Sequence, residues 1–463
     1  MSHKVRFRCP GCGSELETPE GTVSNLCTYC GLVSLLGRPG RIVKRYYLPS
    51  YDAQEARVII DRQMKKEGWP QFPPATVASL HYLPFYRFRG LSLTCLSKRR
   101  VPSELLPGSE GELKTFELRA RLLDVTIPGC ATHPFGLTSL GVRPQAIPTW
   151  AYRDKEVPEA ARVWPVDREA RESEEAAMRM NDANLVMAHG EKSDEFAEMV
   201  GEHQSLIYFP VYVAAGPAGA AGEATIVLDG LSKRTIKAAL GRWQPPMEGA
   251  SSSSVCELVP EPHRCPNCGA DLPPSERSIV YACTNCQRIW QLEPAGFAPL
   301  AMPLVGEGAG ELYPFWRIPI SFARHPGFET VGAFSRLLTA DIPLLDKQKR
   351  HLPFFVYVPA FAGADADWHV LTAVRMTRTQ PLVEPSRKLP LEAVAVSLLE
   401  TEGREFARFA WDWLRMGYLN LRSDVFAWKS AVAGRTELAW LPVTCDRLSR
   451  SVQRAGQGVT ATV

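Results

Sequence analysis

Eight cysteines constrain this chain more than any other feature. Cys9, Cys12, Cys27 and Cys30 form one set, and Cys265, Cys268, Cys283 and Cys286 form another. Both sets are spaced C-x2-C-x14-C-x2-C, and they are displaced by 256 residues. Two such thiol pairs converge on one tetrahedral metal ion when each pair sits on a tight knuckle. Pro10 and Pro266 pre-set φ inside the first knuckle of each set. Gly13, Gly31 and Gly269 follow the closing cysteine of their knuckles, where a positive φ costs glycine little. Gln287 stands at the fourth such place and marks the least typical knuckle. The start, MSHKVRFRCPGC, has no apolar signal core, so the expected location is cytoplasmic. Thiols stay reduced there, which favours metal over disulfides.

The shared spacing implies an internal duplication. The expected fold class is α+β, with two divergent halves, each a four-cysteine zinc ribbon followed by an antiparallel β-sheet with helices. The expected segments are 1–40 (first ribbon), 41–250 (first α+β domain), 256–296 (second ribbon) and 297–463 (second α+β domain). A Gly-Ala-Ser run at 249–254 reads as a flexible linker between the halves. The 463 residues match about three domains' worth of chain. The 45% hydrophobic and 22% charged fractions exclude a disordered or fibrous chain. No run of about 18 apolar residues is present to span a membrane.

Periodicity supplies the elements. Residues 41–50 are β-rich. Asp52 and Glu55 make a capping-box start. Ala56, Ile59, Ile60 and Met64 follow at helical spacing, and Gly68 with Pro70 closes that helix. Residues 77–96, 112–127, 205–214 and 223–229 read as strands. Residues 154–204 hold 14 acidic and 6 basic residues. They are expected to be an acidic helical insert, split at His189-Gly190, with Phe196, Met199 and Val200 on one face of its second helix. Phe406, Phe409, Ala410, Trp413 and Leu414 form the apolar stripe of a helix near 404–416. A last strand over about 436–444 precedes a tail expected to fray after Ser451.

An aromatic-proline motif recurs as Tyr82–Tyr86, Tyr208–Tyr212 and Tyr357–Phe361, with partial copies at Tyr313–Trp316 and Trp440–Val443. Proline cannot donate to a ladder, so each such strand is expected at an edge or a bulge. Core packing and a repeated ledge that docks a partner are both open at this level.

On CPGCG at 9–13, CTYCG at 27–31, CPNCG at 265–269 and CTNC at 283–286, the chain resembles the zinc-ribbon proteins with rubredoxin-like knuckles. The resemblance covers roughly 70 of the residues. It implies two structural Zn2+ ions, one per set, rather than iron, whose two knuckles usually lie further apart. It implies nothing about activity. The stretches LIYFPVYV and TIVLDG are also similar to strand segments of uncharacterised bacterial ribbon proteins. A four-thiolate site has no open coordination position, so it neither activates water nor polarises a carbonyl.

Other chemistry finds little support in the sequence. His189-Gly190-Glu191 matches the H-x-E of zinc deaminases, but the accompanying P-C-x-x-C is missing, because Pro266 lies between the cysteines. His263 is an alternative ligand beside Cys265. Cys95, Cys130, Cys256 and Cys445 have no readable His partner and are expected to be incidental thiols. No nucleophile elbow, P-loop, H-E-x-x-H or dinucleotide fingerprint occurs. The expected function is a non-enzymatic, zinc-stabilised scaffold or adaptor subunit that presents sheet edges and aromatic ledges to protein partners. The alternative is a nucleic-acid-binding protein using the basic first ribbon. Residues 1–50 carry Lys4, Arg6, Arg8, Arg38, Arg41, Lys44 and Arg45 against Glu15, Glu17 and Glu20, with Tyr29, Tyr46 and Tyr47 placed to stack bases. Lys98 to Arg100 and Lys347 to Arg350 add smaller clusters. The net charge of only +3 and the acidic residues of the second ribbon argue against a general polyanion binder.

Overall fold

The computed structural model describes residues 3–100, 113–130, 135–140, 147–153, 157–158, 160–189, 192–241, 255–322, 329–335, 349–363, 365–386, 389–390, 393–418, 428, 431–443 and 460–462. The 249–254 linker and Cys445 lie outside them, as does the tail except for one short strand at 460–462.

The first four-cysteine segment contains β1 (Lys4–Arg8), β2 (Glu15–Pro19), β3 (Ser24–Leu26) and β4 (Val33–Leu35). β5 (Ile42–Tyr46) and α1 (Ala53–Lys66) follow. The α1 start is the expected cap, since Asp52 Oδ1 accepts from the Glu55 amide at 2.8 Å. Ala56, Ile60 and Met64 are buried on its inner face. Next come the long strands β6 (Ser79–Arg100) and β7 (Leu113–Pro128), then β8 (Thr149–Ala151), β9 (Arg162–Val163) and α2 (Ala170–His189). β10 (Lys192–Pro217), β11 (Glu223–Asp229) and β12 (Thr235–Leu240) complete the first half.

The second half opens with β13 (Val255–Cys256) and β14 (Glu261–Pro262), then β15 (Val280–Ala282), β16 (Ile289–Glu293) and β17 (Gly296–Pro299). It continues with β18 (Leu304–Gly306), β19 (Glu311–Phe322), α3 (Val331–Ser335), β20 (Phe355–Pro359), α4 (Ala366–Thr379) and β21 (Val383–Pro385). α5 (Glu400–Tyr418), β22 (Ala431–Ala433), β23 (Glu437–Val443) and β24 (Thr460–Thr462) end the chain. The large sheet runs β2-β1-β8-β5-β10-β6-β7-β24, with β11 and β12 continuing from β10. The second sheet runs β20-β19-β23-β18-β21. The chain is thus a mixed α+β protein with several sheets. No described helix is long and apolar enough to cross a membrane.

The acidic segment departs from expectation. Among its described residues only 170–189 is helical, and 192–217 is the strand β10, paired with β6 from Lys192↔Lys98 to Val213↔Ser79. The Glu, Ala and Met content of 192–204 favours helix only weakly. Pairing along β6 and burial of Met199 and Val200 override it.

Four of the five aromatic-proline strands depart as well; the fifth, β20 with Pro359, is an edge strand of the second sheet, as expected. β6 and β10 lie inside the sheet, not at an edge. Each proline instead sits where one neighbouring strand ends. Pro84 falls between the β7 ladder, which begins at Phe85, and β9, which pairs at His81 and Tyr82. Pro210 falls between the β5 ladder, ending at Tyr208, and the β11 ladder, starting at Val211. Pro314 and Pro442 lie just past the last pairs with β20 and β18. The missing N–H therefore costs no hydrogen bond. The carbonyls are used, with Gly129, Gly230 and Ala360 amides donating to Pro84, Pro210 and Pro314. The aromatic residues of the three full copies are core: Tyr82, Phe85, Tyr86, Tyr208, Phe209, Tyr212, Tyr357 and Phe361 are all buried. They form no ledge.

The two halves meet closely. β14 pairs with β4 of the first ribbon, and β13 pairs with β5. One apolar cluster runs from Val23 and Leu35 of the first ribbon, through Leu91 and Leu93 of β6 and Tyr281 and Trp290 of the second ribbon, to Trp316, Phe406 and Trp411. Packing thus crosses the 40, 250 and 296 boundaries.

Candidate metal centres and the cavity between the halves

Each knuckle is built by the same two backbone bonds. In the first, the Cys9 amide donates to Ser14 O and the Gly13 amide returns to Cys9 O, both at 2.9 Å. The pattern repeats at Cys27/Leu32/Gly31, Cys265/Ala270/Gly269 and Cys283/Arg288/Gln287. The closing residue is left-handed in all four: φ is +76° at Gly13, +75° at Gly31, +74° at Gly269 and +59° at Gln287. Gln287 takes the conformation despite its Cβ, at a cost of about 1 kcal/mol, and its side-chain amide donates to Thr284 O at 2.8 Å.

The knuckles bring all eight cysteines into two groups of four, with Sγ atoms within 4.8 Å of one another. Cys9 and Cys30 lie 3.7 Å apart, Cys12 and Cys27 3.7 Å, Cys265 and Cys286 3.6 Å, and Cys268 and Cys283 3.5 Å. Four thiolates bound to zinc at about 2.3 Å would stand about 3.8 Å apart in a tetrahedron. The donor sets therefore fit a tetrahedral metal ion. Ser14, through its hydroxyl and its backbone, draws the Cys12 thiol down to about 6, and the Ala270 backbone with Asn285 does the same for Cys268. Both thiols are thereby prepared to bind as thiolates.

The two four-cysteine segments dock on each other. The Val23 and Ser24 amides donate to Glu276 and Ser275 carbonyls at 2.9 and 3.1 Å. The Ser275 amide donates back to Ser24 Oγ at 2.8 Å, and Arg38 pairs with Glu261 at 2.6 Å. His263 is not a ligand. Its ring is buried against Tyr281 and Phe297, and burial pushes it down to about 4.

The remaining sequence candidates occupy structural positions. Cys95 is buried in the main core, and Cys130 is buried with its thiol pushed up to about 12 by burial. His189 ends α2, and its neighbours 190–191 lie outside the described residues. Ser79 and His81 make a Ser–His contact of 2.8 Å that sequence reasoning missed. Trp164 Nε1 donates to His81 Nδ1 at 3.1 Å, so the neutral ring carries its proton on Nε2, facing Ser79. Ser79 then receives a proton donor rather than a base, and its own hydroxyl turns to Val213 O.

The basic residues of the first ribbon are mostly engaged internally. Lys4 and Arg6 pair with Glu17, and Arg45 pairs with Glu20 inside the protein. Tyr46 and Tyr47 are buried, while Tyr29 is 72% exposed on the second knuckle. The side chains of Lys98 to Arg100, and residues 347–348, lie outside the described set.

A cavity of about 600 Å³ separates the halves, also missed by sequence reasoning. Its floor is the face of β10, β6 and β7 that carries His203, Arg89 and Asp124 in cross-strand register. The walls come from both ribbons and from the second half. Buried beside it, Glu20 accepts from Arg45 at 2.6 Å and from Arg87, and Arg87 also grips Asp124 through two bonds of 2.9 and 2.8 Å. On the same floor, β10 bulges between Val200 and His203, with Gly201 at φ +64°. The two bulge amides, Gly201 and Glu202, donate to Glu402 on α5 at 3.0 and 3.4 Å. Burial pushes the neighbouring Glu202 carboxyl up to about 8, helped by the Glu174 charge. The available signal was Arg87 and Arg89 alternating with Tyr86 and Phe88, which places two cations on one face of a strand with an aromatic back. No protein-family model matches the chain, and neither the curated proteins nor the solved structures yield a match.

Proposed function

We propose that the chain is a non-enzymatic, zinc-stabilised scaffold or adaptor subunit with one structural zinc ion in each of its two ribbons. The observation that carries this reading is the pair of closed four-thiolate sets on ribbons that dock against each other. Each set leaves no coordination position for substrate. Structural zinc in such sites contributes on the order of 10–16 kcal/mol, enough to order two ribbons too small for cores of their own. The internal duplication of the ribbons and the four-part division into domains belong to this same reading.

The partner surface is not the aromatic repeat, which is core. The sheet edges remain, β12 among them, with Leu240 exposed at its end. Nucleic-acid binding is the less supported reading, since Lys4, Arg6, Arg38 and Arg45 already face carboxylates.

Elemental analysis of purified protein should return two zinc ions per chain. Affinity purification from native lysate should retain stoichiometric protein partners after nuclease treatment. Fewer than two bound metals, or disulfides within either set, would sink the zinc half of the proposal. Partners that vanish with nuclease would replace the adaptor by a nucleic-acid reader.

A further inference from the structure

We propose that the cavity between the halves binds a small organic oxyanion, a carboxylate or phosphate head on an apolar body, held by Arg89, Arg277 and His203. The inference does not depend on the scaffold reading.

The charges lining the cavity are unevenly satisfied. Glu20 is taken by Arg45 and Arg87, and Asp124 by Arg87. Glu402 accepts from the amides of Gly201, Glu202 and Leu399. Glu202 accepts from the Gln204 side-chain amide. Every carboxyl group that lines the cavity therefore already has hydrogen-bond partners. Arg89 and Arg277 line the same cavity, and neither has a carboxylate partner among the described residues. Both bear electrostatically on His203.

His203 lies directly opposite Arg89 in the β10–β6 register. A Cβ at Gly21 would fall 2.9 Å from its ring carbon Cε1, so glycine at that point, at φ +79°, leaves room for the imidazole. The ring makes no hydrogen bond among the described residues. The ring is open to the cavity, and its enclosure among the cavity walls, then the charges of Arg89, Arg45, Arg277 and Arg87, push His203 down to about 4. At neutral pH it is an uncharged ring with one N–H to offer. Two guanidinium groups and one N–H around a common space match a planar or tetrahedral oxyanion, which guanidinium binds through paired donors. Leu91, Leu122, Met199, Ile279 and Leu398 give the same wall an apolar stretch. A volume near 600 Å³ suits an organic molecule better than a bare ion.

Calorimetric titration of the full metal-loaded chain with octanoate, octyl phosphate and inorganic phosphate tests this. One of the two amphiphiles should bind saturably at one site, and the tighter one identifies the head group. Inorganic phosphate should bind at least about tenfold more weakly. Arg89→Met and Arg277→Ala should each weaken the amphiphile about tenfold or more, the loss of one charge-assisted contact. Arg171→Ala, on the exposed face of α2, should change nothing. Arg277 is an exposed side chain, so its variant decides the question should Arg89→Met fail to fold. No saturable binding of any probe up to about 10 mM, or unchanged affinity in Arg277→Ala, would overturn the proposal. Inorganic phosphate binding as tightly as octyl phosphate would overturn the organic ligand class.

Discussion

Replacing Glu20 by alanine removes, among the described residues, the only carboxylate bonded to Arg45 and one of two bonded to Arg87. All three side chains are at most 8% exposed. Glu20 sits in the first ribbon's turn, Arg45 on β5 and Arg87 on β6, so the cluster ties the ribbon to the large sheet. Arg87 keeps Asp124, whereas Arg45 loses its sole ion pair among the described residues. Breaking a buried pair by deleting one partner costs about 3–5 kcal/mol, because the remaining charge stays out of water uncompensated. At about 2–3 °C per kcal/mol for a cooperative unit larger than 150 residues, Tm should fall by roughly 6–15 °C. The assay is thermal unfolding followed by tryptophan fluorescence and circular dichroism. The double variant Glu20→Met, Arg45→Met should recover much of the loss, since an apolar pair needs no compensation. Raising NaCl to about 1 M should leave the wild type nearly unchanged, since a buried pair is poorly screened. A Tm loss below about 2 °C for Glu20→Ala, or a wild type that loses the same stability in high salt, would refute the claim that these charges are desolvated.

Cys12→Ser should reduce the metal content from two ions to one, because the second set draws all its ligands from residues 265–286; elemental analysis decides, and loss of both metals would mean that the docked ribbons fold as one unit. Tyr82→Phe should be neutral or stabilising by about 1 kcal/mol, because the buried Tyr82 hydroxyl has no hydrogen-bond partner among the described residues; a loss above about 1 kcal/mol in chemical denaturation would contradict this. The raised carboxyl of Glu202 binds its proton in the folded state up to about pH 8 but in the unfolded chain only up to its ordinary 4.5. Its stabilising contribution is thus complete below about pH 4.5 and is lost as pH rises toward 8. Unfolding curves of Glu202→Gln should lack that decline, at most about 1.4 kcal/mol per pH unit. Gly31→Ala should destabilise the first ribbon by about 1–2 kcal/mol because φ is +75° there, read as weaker zinc retention against a competing chelator.

The parts legible in the sequence are those in which chemistry is local. A C-x2-C pair must turn tightly, so its metal role, its left-handed closing residue and its grouping with a second pair follow from a few neighbouring residues. The α1 cap at Asp52 and the apolar stripe of α5 are of the same kind. Residues 192–204 were not legible because their weak helical preference loses to a ladder with β6, about 100 residues away in sequence. The proline strands misled for a related reason. The missing N–H is a local fact, but whether a neighbouring strand needs it depends on where β5, β7, β9 and β11 end.

Thiol spacing and side-chain periodicity act over a few residues, so the two four-cysteine groups and most of the strands and helices were readable before folding was known. Only the tertiary structure decided that the ribbons dock, that the aromatic repeat is core, and that Arg89, Arg277 and His203 share one cavity. Those outcomes depend on packing between segments as much as 250 residues apart, where burial and desolvation decide between faces that look equivalent in one dimension.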